Sequence, residues 1–226
     1  AKEVLFQKSE ILTTRFNMVD ERVEQVRSNL QEQVADEISK VESLLDKISG
    51  LNSEIYKLEF KKKGLAVELR DERQKAIEEL AELISVEMVQ LNDSVIGVSA
   101  KTDDGQNVAL IDSSGKVASL TNEDGQLAFD PLRGSIAGLL DSETAIDKLK
   151  NDNLDLLAAQ LVKSVNEVYN DGIVGNFFDS TTDTAGGLKL DIVLTAETIR
   201  ATHTNFSGAN DVALNISELA DKPFSK

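Results

Sequence analysis

The chain has no cysteine and no tryptophan, only two prolines, a single histidine and few aromatic residues, 4% in all. Each shortage closes something off. Without cysteine there is no structural disulfide, no thiolate zinc site and no cysteine nucleophile. That absence suits a cytosolic protein and equally an exported one that forgoes disulfides. With few aromatics, aliphatic side chains must do most of the packing, which suits helical bundles better than deep ligand pockets lined by aromatic rings. No stretch approaches the roughly 18 apolar residues of a membrane span, and no cleavable signal peptide is visible. The chain starts at Ala1 rather than Met, which points to a processed protein or an excised fragment. Basic charge is short as well: 24 Lys and Arg face 40 Asp and Glu, a net charge of −16. A nucleic-acid surface needs clustered Lys and Arg. The one basic cluster, Lys61-Lys62-Lys63, falls at a predicted helix end, where it complements the helix dipole and the free carbonyls.

Catalytic patterns are missing too. His203 has no cysteine to pair with, and there is no G-x-S-x-G elbow, P-loop or Rossmann glycine pattern. Carboxylate pairs abound, but a chain with 40 acidic residues produces them by chance, and a glycosidase needs two in one cleft. The Asp-rich turns do not fit a calcium loop with its distant Glu. No catalytic, cofactor-binding or metal-binding residue is assigned, and the chain reads as something other than an enzyme. A carboxylate-dependent hydrolase is the minor rival.

What is present divides in two. Residues 1–92 hold 4 Asp and 15 Glu, whereas residues 93–226 hold 16 Asp and 5 Glu; of 13 glycines only Gly50 and Gly64 precede position 92. Glu tolerates helix interiors, while Asp competes for backbone hydrogen bonds and favours turns and caps. The first part should therefore be helical and the second richer in turns. A seam spaced 4-3-4-3-4 runs through Leu12, Phe16, Val19, Val23, Val26 and Leu30. After a phase shift through Val34 it resumes at Ile38, Val41, Leu45, Ile48, Leu51, Ile55 and Leu58. A helix over about residues 2–60 would be roughly 85–90 Å long. The seam could serve an intermolecular coiled coil, but two further helices follow, so packing within the chain is the expectation. Gly64 marks a break, and a second helix from about Leu65 to Met88 should fold back as an antiparallel hairpin.

Beyond Met88 the period becomes 2. Short strands are predicted at 95–98, 108–111, 117–120 and 127–129, separated by Asp104-Gly105, Ser114-Gly115 and Asp124-Gly125. Turn dipeptides recurring every ten residues read as a β-meander, a lobe that carries its own turns and should be separable from the helices. A third helix follows Pro131, with the seam Ile146, Leu149, Leu154, Leu157, Leu161, Val165 and Val168 and a stop at Gly172. It should pack on the first two. The tail is mixed: a Thr/Asp/Gly-rich loop, an extended stretch at 188–194, short helices near 196–202 and 211–220 with Asn210 as N-cap, and Pro223 at the close. The predicted fold is mainly α with a small β part: an elongated helical bundle built on one very long helix, with an antiparallel β-meander side lobe. Its parts are 1–91, 92–131 and 132–226.

Several segments resemble a known family. Leu12-Thr13-Thr14-Arg15-Phe16-Asn17 and Ile48-Ser49-Gly50-Leu51-Asn52-Ser53-Glu54-Ile55 resemble the start and end of the long helix in the flagellar hook-associated protein 1 family. Leu69-Arg70-Asp71-Glu72-Arg73 is similar to its L-x-x-R-D segment. Arg133 to Asp141 is similar to its R-G-G-x-x-G-L-L-D segment, with Ser135 where a second glycine often stands. Leu157-Ala158-Ala159-Gln160-Leu161, Val165 to Gly172 and Phe177-Phe178 follow in the family's order, and Leu190 to Leu219 resembles the segment returning to the helical domain. The family's terminal polymerisation regions are not in this chain, and its large variable β insert is small or absent.

The resemblance implies a middle fragment of a hook–filament junction protein, an adaptor working by protein contacts. It implies export unfolded through the flagellar type III apparatus without a cleaved signal, and an extracellular place in the flagellum. The implied partners are hook protein, a second junction protein, copies of itself and an export chaperone, with no nucleic acid and no membrane insertion. Another rod-like assembly protein, such as a flagellin-like subunit, phage tail component or adhesin stalk, is the main alternative.

Overall fold

The structure, a computed structural model, describes residues 2–60, 62, 64–170, 175–202 and 209–219. Lys61, Lys63, Gly172, His203 and Pro223, each given a role above, lie outside the described residues. The elements are α1 (Lys2–Glu59), α2 (Val67–Leu83), β1 (Val86–Gln90), β2 (Ile96–Lys101), β3 (Asn107–Ile111), α3 (Ser135–Lys148), a π-helical segment Leu149–Asp155, α4 (Leu156–Asn170) and α5 (Asp211–Glu218). The fold is mainly α with a small antiparallel sheet and one very long helix, as the sequence leads one to expect. Strong helix formers and the absence of proline sustain α1. The chain divides into two compact units, residues 28–144 and residues 1–27 with 145–226.

In the unit of residues 28–144 one aliphatic core takes contributions from every element. Val34, Ile38, Val41, Leu45 and Ile48 of α1 join Ala76, Ile77 and Leu80 of α2, Val98 and Ala100 of β2, Leu110 and Ile111 of β3, Leu120, and Ile136 of α3. Leu51 and Ile55 are buried as well, while Leu58 is exposed. The second seam of the long helix is therefore satisfied within the chain. The sheet runs β1-β2-β3, antiparallel throughout, pairing Val86 with Ala100 and Met88 with Val98, and it is irregular at Val98/Ser99. Its buried face belongs to the helices' core. Val98, Ala100, Leu110 and Ile111 of the sheet share that core with the helices.

Two boundaries differ from expectation. The second helix stops at Leu83, and Val86–Gln90, which overlaps the expected helix end at Met88, is the first strand. Ile84 is already extended (φ −141°, ψ 153°); it and Val86 are β-branched and stiff, and β2 offers a ladder that a further helical turn could not use. The predicted strands at 117–120 and 127–129 are present only as bridges, Ile111 with Val117 and Thr121 with Leu127. The recurring turns do share one geometry. Gly105, Gly115 and Gly125 have φ of 81°, 82° and 77°, and each donates its N–H to the carbonyl three residues back.

The unit of residues 1–27 and 145–226 is built differently. Its core holds Val162, Val165, Tyr169, Phe177, Phe178, Leu188, Leu194, Ile199 and Val212, with Phe16 partly buried against them. Tyr169, Phe177 and Phe178 meet edge-to-face at 5.3 and 5.0 Å between ring centroids. The predicted third helix is corrected here. It is interrupted by the π-helical segment, and its halves serve different cores: Ile136 packs in the first unit, α4 in the second. A π-turn closes i to i+5 and advances each residue through a smaller angle than an α-turn. The seam leucines Leu149 and Leu157 are exposed.

The first seam of α1 is corrected too. Leu12, Val19 and Val26 are exposed and Val23 is buried. The buried face includes Ser9 and Thr13, whose hydroxyls donate to the carbonyls of Leu5 and Glu10. In the tail, residues 196–198 form a turn rather than a helix. Asn210 stands at the N-cap of α5, but its side chain makes no capping bond.

Candidate functional site

Among the described residues no group of three or more His, Asp or Glu side chains is arranged to hold a metal, and no helix is long and apolar enough to cross a membrane. The perturbed carboxyls among them are all held below their usual range. The Lys150 ammonium lowers Glu24, and Arg70 lowers Glu59. Thr102 lowers Asp104, Ser114 lowers Asp112 and Thr195 lowers Glu197. Asp179 falls to about 2 because the Thr181 hydroxyl and N–H and the Lys189 ammonium all face it. A general acid at neutral pH needs the opposite shift. These are turn-forming and ion-paired carboxylates. Lys150 of the π-helical segment pairs with Asp20 and Glu24 of α1, and Asp155 accepts the N–H of Ala185 at 2.8 Å.

The segments singled out in the sequence do identifiable structural work. Arg70 closes the helical hairpin: its Nη2 lies 2.5 Å from Glu59 Oε2 and donates to the Asp93 carbonyl at 2.7 Å. Glu59 also accepts the N–H groups of Gly64 and Ala66. The carboxylate from α1 thereby serves α2, whose own N-cap, Ala66, has no side-chain cap. Arg73, three residues on, is buried. Its Nη1 donates to Asn52 Oδ1 and the Ser94 carbonyl, both at 2.7 Å. Asn52 in turn donates to the Ile96 carbonyl and accepts the Ile96 N–H. Burial pushes the Arg73 pKa down, with Arg70 nearby adding to it. The R-D-E-R stretch and the L-N-S stretch are thus two sides of one clamp that binds α1, α2 and the β1–β2 turn.

Gly134 of the R-G-S segment has φ +110°, and a Cβ there would overlap the Leu83 carbonyl. The glycine lets the start of α3 lie on the end of α2, where Ser85 N–H bonds the Arg133 carbonyl at 2.9 Å. In the other unit Asn166, buried on α4, accepts the N–H groups of both Phe177 and Phe178 and donates to the Phe178 carbonyl, each at 2.9 Å. Asn52 and Asn166 carry no signal in a single sequence beyond being polar residues within apolar seams; Asn166 breaks the run between Val165 and Val168.

In the unit containing both chain ends, Leu5 and Leu12 rim an apolar groove of about 310 Å³ floored by Leu161, Val165 and Phe178. Val4, Ile11, Met18, Val19 and Val26 continue the exposed apolar stripe along α1. In the other unit the hairpin tip exposes Tyr56, Phe60, Leu65 and Val67. Exposed apolar surface of this extent marks protein contact rather than catalysis.

Residues 1–180 match the family described as the flagellar hook-associated protein FlgK helical domain. The chain is also similar to flagellar hook-associated protein 1 of Bacillus subtilis (strain 168). The two are 24% identical over 275 residues, which cover 98% of this chain and 53% of that protein. The chain therefore spans about half the length of the curated relative it matches.

Proposed function

The chain belongs to the flagellar hook-associated protein FlgK helical-domain family, and on that premise we propose that it is a structural, non-enzymatic part of the bacterial flagellum, the adaptor between hook and filament. The observation that carries this reading is the family match over residues 1–180. Within it the family-like segments act as packing devices: a hairpin clamp, a close-approach glycine and an asparagine tether. In this reading each core holds its own unit together, and exposed apolar surface makes the contacts. The proposed parts are the helical hairpin (1–91), the β segment (92–131) and the returning helical segment (132–226). The partners are hook protein, a second junction protein and neighbouring copies. The protein reaches its extracellular position through the flagellar type III apparatus without a cleaved signal, aided by a cytoplasmic chaperone.

The experiment is to tag the full-length protein in its own bacterium and locate it on isolated flagella by immunogold microscopy, alongside deletion of its gene. Label confined to the hook–filament boundary, and hooks without filaments in the deletion strain, are expected. Label spread along the filament would favour a filament subunit. Intact filaments after deletion would overturn the adaptor role.

A further inference from the structure

Three turns in the unit of residues 28–144 share one backbone. Gly105, Gly115 and Gly125 have φ of 81°, 82° and 77°. In each turn the glycine N–H bonds the carbonyl three residues back, at 3.1, 3.0 and 3.1 Å. The first and third turns carry the same tripeptide, Asp104-Gly105-Gln106 and Asp124-Gly125-Gln126, and both aspartates are exposed. Local sequence, backbone and accessibility thus make the two aspartates equivalent. Their hydrogen bonds do not.

Thr102 opens the first turn and is buried. Its hydroxyl donates to Asp104 Oδ1 and accepts the Gln106 N–H at 3.0 Å. Gln106 adds its N–H to Oδ1 at 3.2 Å and its side-chain amide to Oδ2 at 2.9 Å. Both carboxylate oxygens of Asp104 are therefore held. Asn122 opens the third turn. Its Oδ1, which can only accept, takes the N–H groups of Asp124 and Gln126, each at 3.0 Å. Among the described residues, the Asp124 carboxylate takes part in none of that turn's hydrogen bonds.

We propose that Asp124 is a site of spontaneous covalent rearrangement, isomerising to an isoaspartyl linkage through a cyclic imide formed with Gly125, and that Asp104 is held back. Glycine has no side chain to shield the attacking nitrogen. The Gly125 nitrogen bonds to Asp124 Cγ; the nitrogen loses its proton and the carboxyl its hydroxyl, and the two leave as water. Water then opens the ring. Attack at the main-chain carbonyl carbon breaks its bond to the Gly125 nitrogen and leaves the chain running through Cγ. Attack at Cγ restores aspartate. Water is released and taken back, so the mass does not change. The carboxyl loses its hydroxyl only when neutral, and it must swing onto the nitrogen. At Asp104 the Thr102 hydroxyl opposes both, fixing the carboxylate and lowering its pKa. The new linkage lengthens the backbone by one carbon where Asn122 N–H bonds the Gln126 carbonyl at 2.8 Å and Thr121 bridges Leu127. Asp124 and Leu127 line a groove of about 450 Å³ with Val34 and Ile38, so the change reshapes that surface as the protein ages. The inference goes beyond the flagellar reading, since it rests on the chemistry of these turns alone.

The test incubates the whole folded chain at mildly acidic pH and physiological temperature. Isoaspartate is mapped by peptide fragmentation and by labelling with an isoaspartate-specific carboxyl methyltransferase. Residue 124 should convert at least about tenfold faster than residue 104, the factor expected when one hydrogen bond to a charged group must break first. In denaturant the two should convert at similar rates, because the tripeptides are the same. Asn122→Thr alters an exposed residue and installs the hydroxyl of the first turn, so it should slow residue 124 severalfold. Asp124→Ser, which copies Ser114 of the middle turn, should abolish the modification there. Circular dichroism verifies that both variants stay folded. In heavy-oxygen water, residue 124 should gain heavy oxygen as the ring opens. Equal rates at 104 and 124 in the folded chain, a faster rate at 104, or no conversion at 124 while the denatured chain converts would each overturn the proposal. So would a folded Asn122→Thr variant that reacts like wild type, or conversion without uptake of heavy oxygen. None of these results bears on where the protein sits in the cell, so failure here and failure of the junction reading remain distinguishable.

Discussion

In the unit of residues 28–144 the core is aliphatic and regular, with a helical hairpin, a third helix and a sheet meeting through Leu, Ile, Val and Ala. In the unit of residues 1–27 and 145–226 the core is centred on Tyr169, Phe177 and Phe178, and much of its backbone between 175 and 202 lacks regular structure. The difference shows how a chain with few aromatics spends them. Helices and strands satisfy their own backbone, so small aliphatic side chains can close the space between them. Irregular backbone brings unpaired N–H and C=O groups inward, and it needs both large rings that bury much area per residue and a side-chain amide to satisfy the backbone. Asn166 provides the latter.

The largest expected effects set the two cores against each other. Phe178→Ala should cost about 3–5 kcal/mol and Leu45→Ala about 2–5 kcal/mol, since both are essentially fully buried. Hydrogen exchange sharpens the contrast. Phe178→Ala should lower protection in α4 and leave α2 and the sheet protected, and Leu45→Ala should do the reverse. Loss of protection everywhere in both variants would mean that the two units unfold as one.

Next come the polar clamps. Asn166→Ala leaves two N–H groups and one carbonyl without their partner, and Asn52→Ala removes one of the two acceptors of Arg73 and the partner of both backbone groups of Ile96. Each should cost about 1–3 kcal/mol in denaturant melts. If Asn52→Ala is neutral, the hairpin clamp is ornamental and the aliphatic core alone holds that unit.

Acid should separate the loop-built unit through Asp179. Its folded pKa, about 2, lies below the ordinary 3.8. The group therefore contributes stability at neutral pH, and that contribution is lost as pH falls from about 4 toward 2. Asp179→Asn should flatten that part of the acid-unfolding curve, followed by near-ultraviolet signals from Tyr169. An unchanged slope would mean that the Thr181 and Lys189 contacts do not survive in solution.

The smallest effects fall on α1. Gly50 is helical and exposed, with nothing within 4 Å of an added Cβ, so Gly50→Ala should stabilise by roughly 0.5–1 kcal/mol. Val19→Ser, on the exposed half of the first seam, should change stability by no more than about 0.5 kcal/mol. A large loss at Val19 would mean that this stripe is covered in the isolated chain.

Much was legible in the sequence because it rests on local physics. The span of α1 follows from missing proline and abundant Glu, the hairpin from Gly64, and the ten-residue turns from glycines that adopt positive φ. The seam from Ile38 to Ile55 was legible because aliphatic spacing and burial coincide there. Tertiary structure decided the rest. Whether Leu12 or Thr13 faces inward depends on what lies opposite, and periodicity cannot choose when both faces carry apolar residues. A π-turn looks like any helix in sequence, yet Leu149–Asp155 adopts one. Val86–Gln90 became a strand because β2 was there to pair with it. Arg73 and Asn52 became partners only when the hairpin closed, since a buried hydrogen bond requires two groups about 3 Å apart and the chain alone does not say which will be.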